Sequence, residues 1–260
     1  MLPEYILIIG GFSLVVGLVC HFFFSKNKKL LAEMWAVDTY SARDLKRMVK
    51  GDFAATVEVQ GSVHCENPVI SLAGYVPCCY YHTSVEREDR RTRFVKSGGS
   101  LRTKTYYVWE KEIDETYSTL FKVRDKTGET SVDPTSASID TKVVVDKIVD
   151  HRELWFGQRV RNSDTGKYRI KESVFKHEGF AYVLGQAFPT GVGDALIQYP
   201  KKGYMDPKKK FFIISRKSEK ELTKKKQTLG KVLGTMRAVF FLAVLYSLLA
   251  YFDIVPGLIN

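Results

Sequence analysis

Within one short stretch, His64-Cys65, Cys78-Cys79 and His82 supply imidazoles and thiols, the ligand types that suit zinc. Their spacing is not that of two Cys-x-x-Cys knuckles, and Cys78 and Cys79 are adjacent. On a strand, adjacent side chains point to opposite faces, which argues against one metal holding both. The expectation is one core cysteine with an outward-facing neighbour, no metal and no cofactor; the alternative use of the vicinal pair is redox chemistry. Glu172 and His177 could form an acid–base pair, but they read as a strand residue and a turn residue of ordinary exposure. No phosphate-binding glycine loop, serine nucleophile elbow or His-Glu-x-x-His stretch is present, so no catalytic residue is assigned. Tyr80-Tyr81 and Tyr106-Tyr107 could stack bases; the charge balance below argues against nucleic acid and for a place in a sheet.

The elements that position these residues are mostly strands. Thr56–Val63 alternates polar and apolar, with Gly61 marking a bulge or bend. Val69–Leu72, Cys79–Val85, Thr105–Trp109 and Phe211–Ser215 are β-rich runs. Residues 86–104 are polar and basic around Gly98-Gly99 and read as an exposed loop or long hairpin tip. Leu120–Asp133 reads as a hairpin turning near Gly128. Thr141–Ile148, Tyr168–Phe175 and Ala181–Gly185 complete the set, and Gly191–Asp194 is a turn signal. A short helix precedes them, and a helix that runs without a break into the second apolar segment follows. Ser41–Asp44 resembles a capping box for a helix ending at Gly51, and Ser218-Glu219-Lys220-Glu221 is a full one. The predicted fold is a mainly β soluble domain, a sandwich or partly open barrel with minor helices, flanked by N- and C-terminal transmembrane helices.

Tyr5–Phe24 is a run of about 20 residues without Asp, Glu, Lys or Arg, long enough for a bilayer core. A cleaved signal peptide is the alternative; Glu4 and the absence of a basic n-region favour a retained span. Ala238–Phe252 is shorter, and Arg237 can snorkel to extend it before Pro256-Gly257 ends the helix; a buried core helix is the alternative. The 40 Lys+Arg and 29 Asp+Glu give +11, but residues 200–237 carry +10, residues 1–199 only +2 and residues 238–260 carry −1. The basic character belongs to one segment, Lys208, Lys209, Lys210, Lys224, Lys225, Lys226, Lys231 and Arg237 included. With Lys26, Lys28 and Lys29 after the first span, it predicts both termini outside and residues 25–237 cytoplasmic. Four cysteines in such a domain do not imply disulfides. The lysines would also attract anionic lipid. Ser13/Gly17 and Ala243/Ser247 are small pairs four apart that permit close helix packing, within the chain or in self-association.

The order of several short motifs resembles the GIDE (BAM, "beside a membrane") domain family, named for the mitochondrial outer-membrane ubiquitin ligase MULAN. The residues that carry the likeness are Gly61; Pro68 and Ser71; Cys78, Tyr80 and Tyr81; Asp125 and Gly128; Tyr168 and Glu172; and Gly185. Ile214-Ser215 and Ser218–Leu222 resemble the family's closing segment. The resemblance implies a membrane-bound β domain that senses or binds a partner. In the ligases a zinc-binding RING follows the second span. This sequence has no cysteine after Cys79, so the expectation is a RING-less member, of the kind typical of prokaryotes, without intrinsic ubiquitin transfer.

The expected layout is a first span over 1–25, a helical linker over 26–52 and a GIDE-like β domain over 53–216. A basic juxtamembrane helix over 217–237 and the second span over 238–260 follow. The expected role is a partner-binding, scaffold or sensor module in envelope or stress signalling. The alternatives are a ligase-type component needing a separate RING, and a cysteine-dependent redox protein.

Overall fold

A computed structural model describes residues 2–48, 55–97, 100–154, 160–190, 194–200 and 211–251. Gly51, Gly98-Gly99, the Gly191–Gly193 turn, Lys208–Lys210 and Pro256-Gly257 lie outside the described residues. The chain divides into two compact units, Met1–Asp38 with Lys217–Asn260, and Thr39–Arg216.

The first unit contains α1 (Leu2–Trp35) and α3 (Glu219–Tyr251). Both are long and apolar enough to cross a membrane, over Ile8–Ala32 and Glu219–Tyr251. At about 1.5 Å per residue each exceeds a hydrocarbon core of about 30 Å, and α3 runs through Gly230 without a break. Ser13, Gly17, Cys20, Asn27, Leu31 and Met34 are buried along α1 at alternating spacings of three, four and seven, the seam of left-handed helix packing. Small residues set its closeness. A Cβ on Gly10 would stand 3.0 Å from Ser247 Cβ, and one on Gly234 3.3 Å from Phe24.

The second unit is β-rich. Its strands are β1 (Ala55–His64), β2 (Val69–Ile70), β3 (Pro77–Ser97), β4 (Ser100–Ser118), β5 (Phe121–Arg124) and β6 (Glu129–Val132). They continue as β7 (Ser138–Ile139), β8 (Lys142–Asp150), β9 (Lys167–Lys176), β10 (Phe180–Thr190), β11 (Asp194–Gln198) and β12 (Ile213–Ser215). In the first sheet, β1, β5, β6, β11 and β10 are neighbours in turn, and β10 pairs back with β1. The ring closes into a small barrel, extended by β12 and β7. Val57, Phe121, Val123, Val132, Ile197 and Ile214 are among the residues of its core. Of the two architectures expected, the barrel is the one formed. The second sheet runs β2-β3-β9-β8, with β4 also on β3.

Two strands escape the sequence reading. β7 has two residues, and β11 follows a segment read as a turn. Residues 86–104 prove to be strand on both sides of Gly98-Gly99, because β3 and β4 pair from Tyr80/Ser118 out to Ser97/Ser100. Of the two readings that polarity allowed, an exposed loop or a long hairpin tip, the hairpin is the one formed.

The short helix α2 (Ala42–Met48) sits on the β unit, with Ala42 and Leu45 buried. Asp125 anchors it. One carboxylate oxygen accepts the Ala42 N–H at 2.7 Å, and the other accepts the Thr127 and Gly128 N–H groups at 2.6 and 2.9 Å. Burial would raise the Asp125 pKa, but these donors together with the Thr127 hydroxyl outweigh it and hold it low. A carboxyl whose folded pKa is depressed stabilises above its unfolded pKa of about 3.9 and loses that contribution as pH falls through the folded value. Asp125→Asn should therefore cost about 1–2 kcal/mol at neutral pH, with the gap to the wild type narrowing below about pH 4. Thermal melts in detergent between neutral and acid pH check this; a gap independent of pH contradicts it.

Candidate functional site

Strand β9 buries every second residue, Tyr168, Ile170, Glu172 and Val174, each 0% exposed. Glu172 is thus a carboxylate on an otherwise apolar stripe, which alternation alone could have revealed. Its partners come from a turn and from β3. The Gly74 N–H donates to Oε1 at 2.7 Å, and the Ala73 N–H and Thr83 hydroxyl donate to Oε2 at 2.7 and 2.6 Å. Ser71 shapes that turn: its N–H donates to the Val76 carbonyl and its Oγ accepts the Val76 N–H, both at 3.0 Å. Tyr75, in the same turn, takes a positive φ of 53°. The ordinary exposure expected of Glu172 is corrected: the sheet and the turn enclose it. It is not paired with His177, whose ring contacts the Pro77 carbonyl at 3.0 Å and Glu178 at 3.4 Å. A fully enclosed carboxylate with both oxygens satisfied is a turn anchor.

Glu58 on β1 repeats the device and was missed in the sequence. It is 1% exposed and accepts from the Thr39 hydroxyl (2.6 Å), Gln60 Nε2 (2.8 Å) and the Tyr182 hydroxyl (2.9 Å). Gln60 is two residues along the same strand, but Thr39 and Tyr182 lie 19 and 124 residues away, so no local pattern marks the site.

The five zinc-type residues do not converge on one point, although the Cys65 and Cys79 thiols lie within reach of each other. Cys65 and Cys79 share the barrel core, with their thiols directed at the Leu120 and Lys176 carbonyls. Cys78 points to the Val69 carbonyl. His64 is exposed beside a pocket of about 270 Å³ that Glu66 and Lys122 also line. His82 pairs with Asp114 at 2.7 Å. Among the described residues no group of three or more His, Cys, Asp or Glu is placed to hold a metal ion. The expected outward-facing cysteine is also corrected. Cys78 and Cys79 are both 0% exposed, because β3 is covered on both faces and its pairing with β9 shifts register between Cys78 and Tyr80. Burial pushes Cys78 up to about 12, assisted by the nearby Glu172 charge, and pushes Cys79 higher still. The thiolate is the reactive form. Ellman's reagent at pH 8 should therefore leave Cys65, Cys78 and Cys79 unmodified in the folded protein and titrate them in denaturant. Fast labelling of Cys78 or Cys79 in the native state contradicts this.

The other motif positions serve the fold. Tyr168 donates its hydroxyl to the Arg161 carbonyl at 2.8 Å and accepts the Ser163 N–H. Tyr81 stacks on Tyr117 with centroids 6.0 Å apart, and Tyr80 packs against the barrel core. Gly185 leaves room for Phe212, whose ring would lie 2.6 Å from a Cβ there. Pro68 is exposed just ahead of β2.

In the helical unit, Lys224, Lys225 and Lys231 are exposed on α3. Asn27 donates to the Lys226 carbonyl at 2.8 Å, and the Arg237 guanidinium lies 4.6 Å from the Phe24 ring centroid. A groove of about 980 Å³ between α1 and α3 is lined by Phe24, Leu31 and Trp35 together with Lys28, Lys231 and Arg237.

The class so defined is a β-barrel protein whose chain carries a span-length apolar helix on either side of the β unit. A family model described as GIDE, E3 ubiquitin ligase, matches residues 90–249, well over half the chain, and the protein belongs to that family. The match covers Asp125, Gly128, Tyr168, Glu172 and Gly185; the motif positions from Gly61 to Tyr81 precede it. No curated protein and no solved structure matches.

Proposed function

We propose that this protein is a two-span integral membrane protein that presents its GIDE domain at the membrane surface as a partner-binding or scaffold module, in envelope or stress signalling. The observation that carries this reading is that the family match runs from the β unit through most of a span-length helix, α3. The motif carboxylate and thiols are enclosed and satisfied, which supports a structural rather than catalytic use of them. The basic residues of α3 favour a cytoplasmic β domain with both termini outside and contact with anionic headgroups. The family's description supports a second reading, a component of ubiquitin-ligase-type activity. The burial of Cys78 and Cys79 weighs against the redox alternative.

The full chain should resist alkaline carbonate extraction, and a tag on Asn260 should be digested by protease outside intact cells. Extraction by carbonate overturns the anchor, and a protected tag overturns the orientation. Crosslinking from native membranes should then capture a reproducible partner. Capture of a ubiquitin-conjugating enzyme with substrate modification favours the second reading.

A further inference from the structure

The hairpin of β3 and β4 outgrows its sheet. β3 pairs with β9 only from Cys78 to Arg87, whereas its pairing with β4 continues ten residues farther, to Ser97. The root of this ribbon is clamped. Arg87, with its side chain 11% exposed, holds Asp89 at 2.7 Å, Glu110 at 2.8 Å and Glu112 at 3.3 Å, and donates to the Asn162 carbonyl at 3.0 Å. Those carboxylates are thereby engaged at the root, and Arg91 also pairs with Glu110. Beyond them the charge is one-sided: residues 90–109 contain six Lys or Arg and no Asp or Glu.

The register sorts the outer ribbon into two faces. Phe94 pairs with Thr103 and Lys96 with Leu101, so Phe94 and Leu101 lie diagonally on one face. Arg93/Lys104 and Val95/Arg102 occupy the other face. Phe94 is 78% exposed and Leu101 75% exposed, more than Phe12, at 68%, on the first apolar helix. A rooted strand pair thus carries two bare apolar side chains near its end, backed by Arg102 and Lys104, which form no ion pair with the described residues, and by Arg93, whose guanidinium lies 5.8 Å from the Tyr106 ring centroid.

We propose that the outer β3–β4 ribbon is a membrane-interface finger, with Phe94 and Leu101 entering the headgroup–acyl boundary of an anionic bilayer and Lys96, Arg102 and Lys104 engaging lipid phosphates. Apolar residues at the tip gain by leaving water, and long basic side chains reach back to the headgroups. The charge complementarity selects anionic lipid. A nucleic-acid platform would instead need stacked aromatic faces; Leu101 beside Phe94 does not provide one, and Tyr106 and Tyr107, adjacent on β4, point to opposite faces. The inference rests on the anchored reading above, because a chain already held at a bilayer presents the ribbon at high effective concentration.

The test uses the full chain in proteoliposomes, with Thr103→Cys labelled by an environment-sensitive fluorophore; the four native cysteines are buried. In vesicles containing phosphatidylglycerol, the label should shift to the blue and be quenched by nitroxide lipids. Phosphatidylcholine vesicles should show neither. Nitroxide confined to the host vesicles or to added vesicles separates insertion into the same bilayer from insertion into an apposed one. Phe94→Ser with Leu101→Ser should abolish quenching without lowering the melting temperature. Arg102→Gln with Lys104→Gln should weaken binding of added anionic vesicles roughly thirtyfold. Carbonate-resistant protein with an unquenched label overturns the finger and leaves the anchor standing. Protein that carbonate extracts overturns the anchor, and quenching by added anionic vesicles then decides the finger alone. Saturable binding of a single-stranded oligonucleotide, lost in Arg102→Gln with Lys104→Gln while the label stays unquenched, overturns the proposal in favour of nucleic acid.

Discussion

Glu172→Ala should destabilise the β unit by about 3–5 kcal/mol, because each of the three donors it abandons costs about 1–3 kcal/mol when buried without a partner. The Ala73 and Gly74 N–H groups and the Thr83 hydroxyl would then face a cavity. At a few degrees per kcal/mol for a domain of this size, the melting temperature should fall by roughly 10 °C. Glu172→Gln should lose less. Its carbonyl can keep the Gly74 N–H, and the Thr83 hydroxyl can reverse to accept from the amide, but the Ala73 N–H then meets a donor. Thr83→Val removes a single donor and should be the mildest of the three. Melts followed by tryptophan fluorescence in one detergent check the order Ala, then Gln, then Val. A Glu172→Ala protein as stable as the wild type would show that the turn does not depend on this carboxylate.

Gly61→Ala should be the most damaging methyl addition in the barrel. β1 is flanked there by β10 and β5, with Gly61 opposite Ala181 and Ser62 opposite Arg124. A Cβ on Gly61 would lie 2.3 Å from the Arg124 carbonyl oxygen and 2.8 Å from its carbon. The obstacle is backbone of the adjacent strand, so no rotamer relieves it and β5 must move away. Overpacking of this kind costs about 1–3 kcal/mol and occasionally more; with backbone displacement the expectation is about 3 kcal/mol. Gly11→Ala is the control, since a Cβ there meets nothing within 4 Å. Equal melting temperatures for Gly61→Ala and Gly11→Ala would contradict the argument.

Several features are legible in the sequence. The alternation in Thr56–Val63 became β1, the Leu120–Asp133 hairpin became β5 and β6, and the apolar runs became α1 and α3. Each is a pattern in consecutive residues. The capping box at Ser218 likewise begins α3, with the Leu222 N–H bonded to the Ser218 carbonyl at 3.0 Å. Residues 86–104 were read from polarity alone, which does not distinguish a loop from a two-stranded ribbon that leaves both faces in water.

The site residues divide along the same line. Composition and order along the chain were enough to establish the apolar helices, the β-rich middle and the family likeness, because hydrophobic length and strand period are local properties. That Cys78 and Cys79 are both enclosed needed folding, since the second cover comes from other strands. So did the role of Glu172. Its donors lie 89 to 99 residues away, and only pairing of β9 with β3 brings that turn over the carboxylate. Whether a polar side chain anchors a core or faces solvent depends on what the distant chain places against it, and that is a property of tertiary contacts.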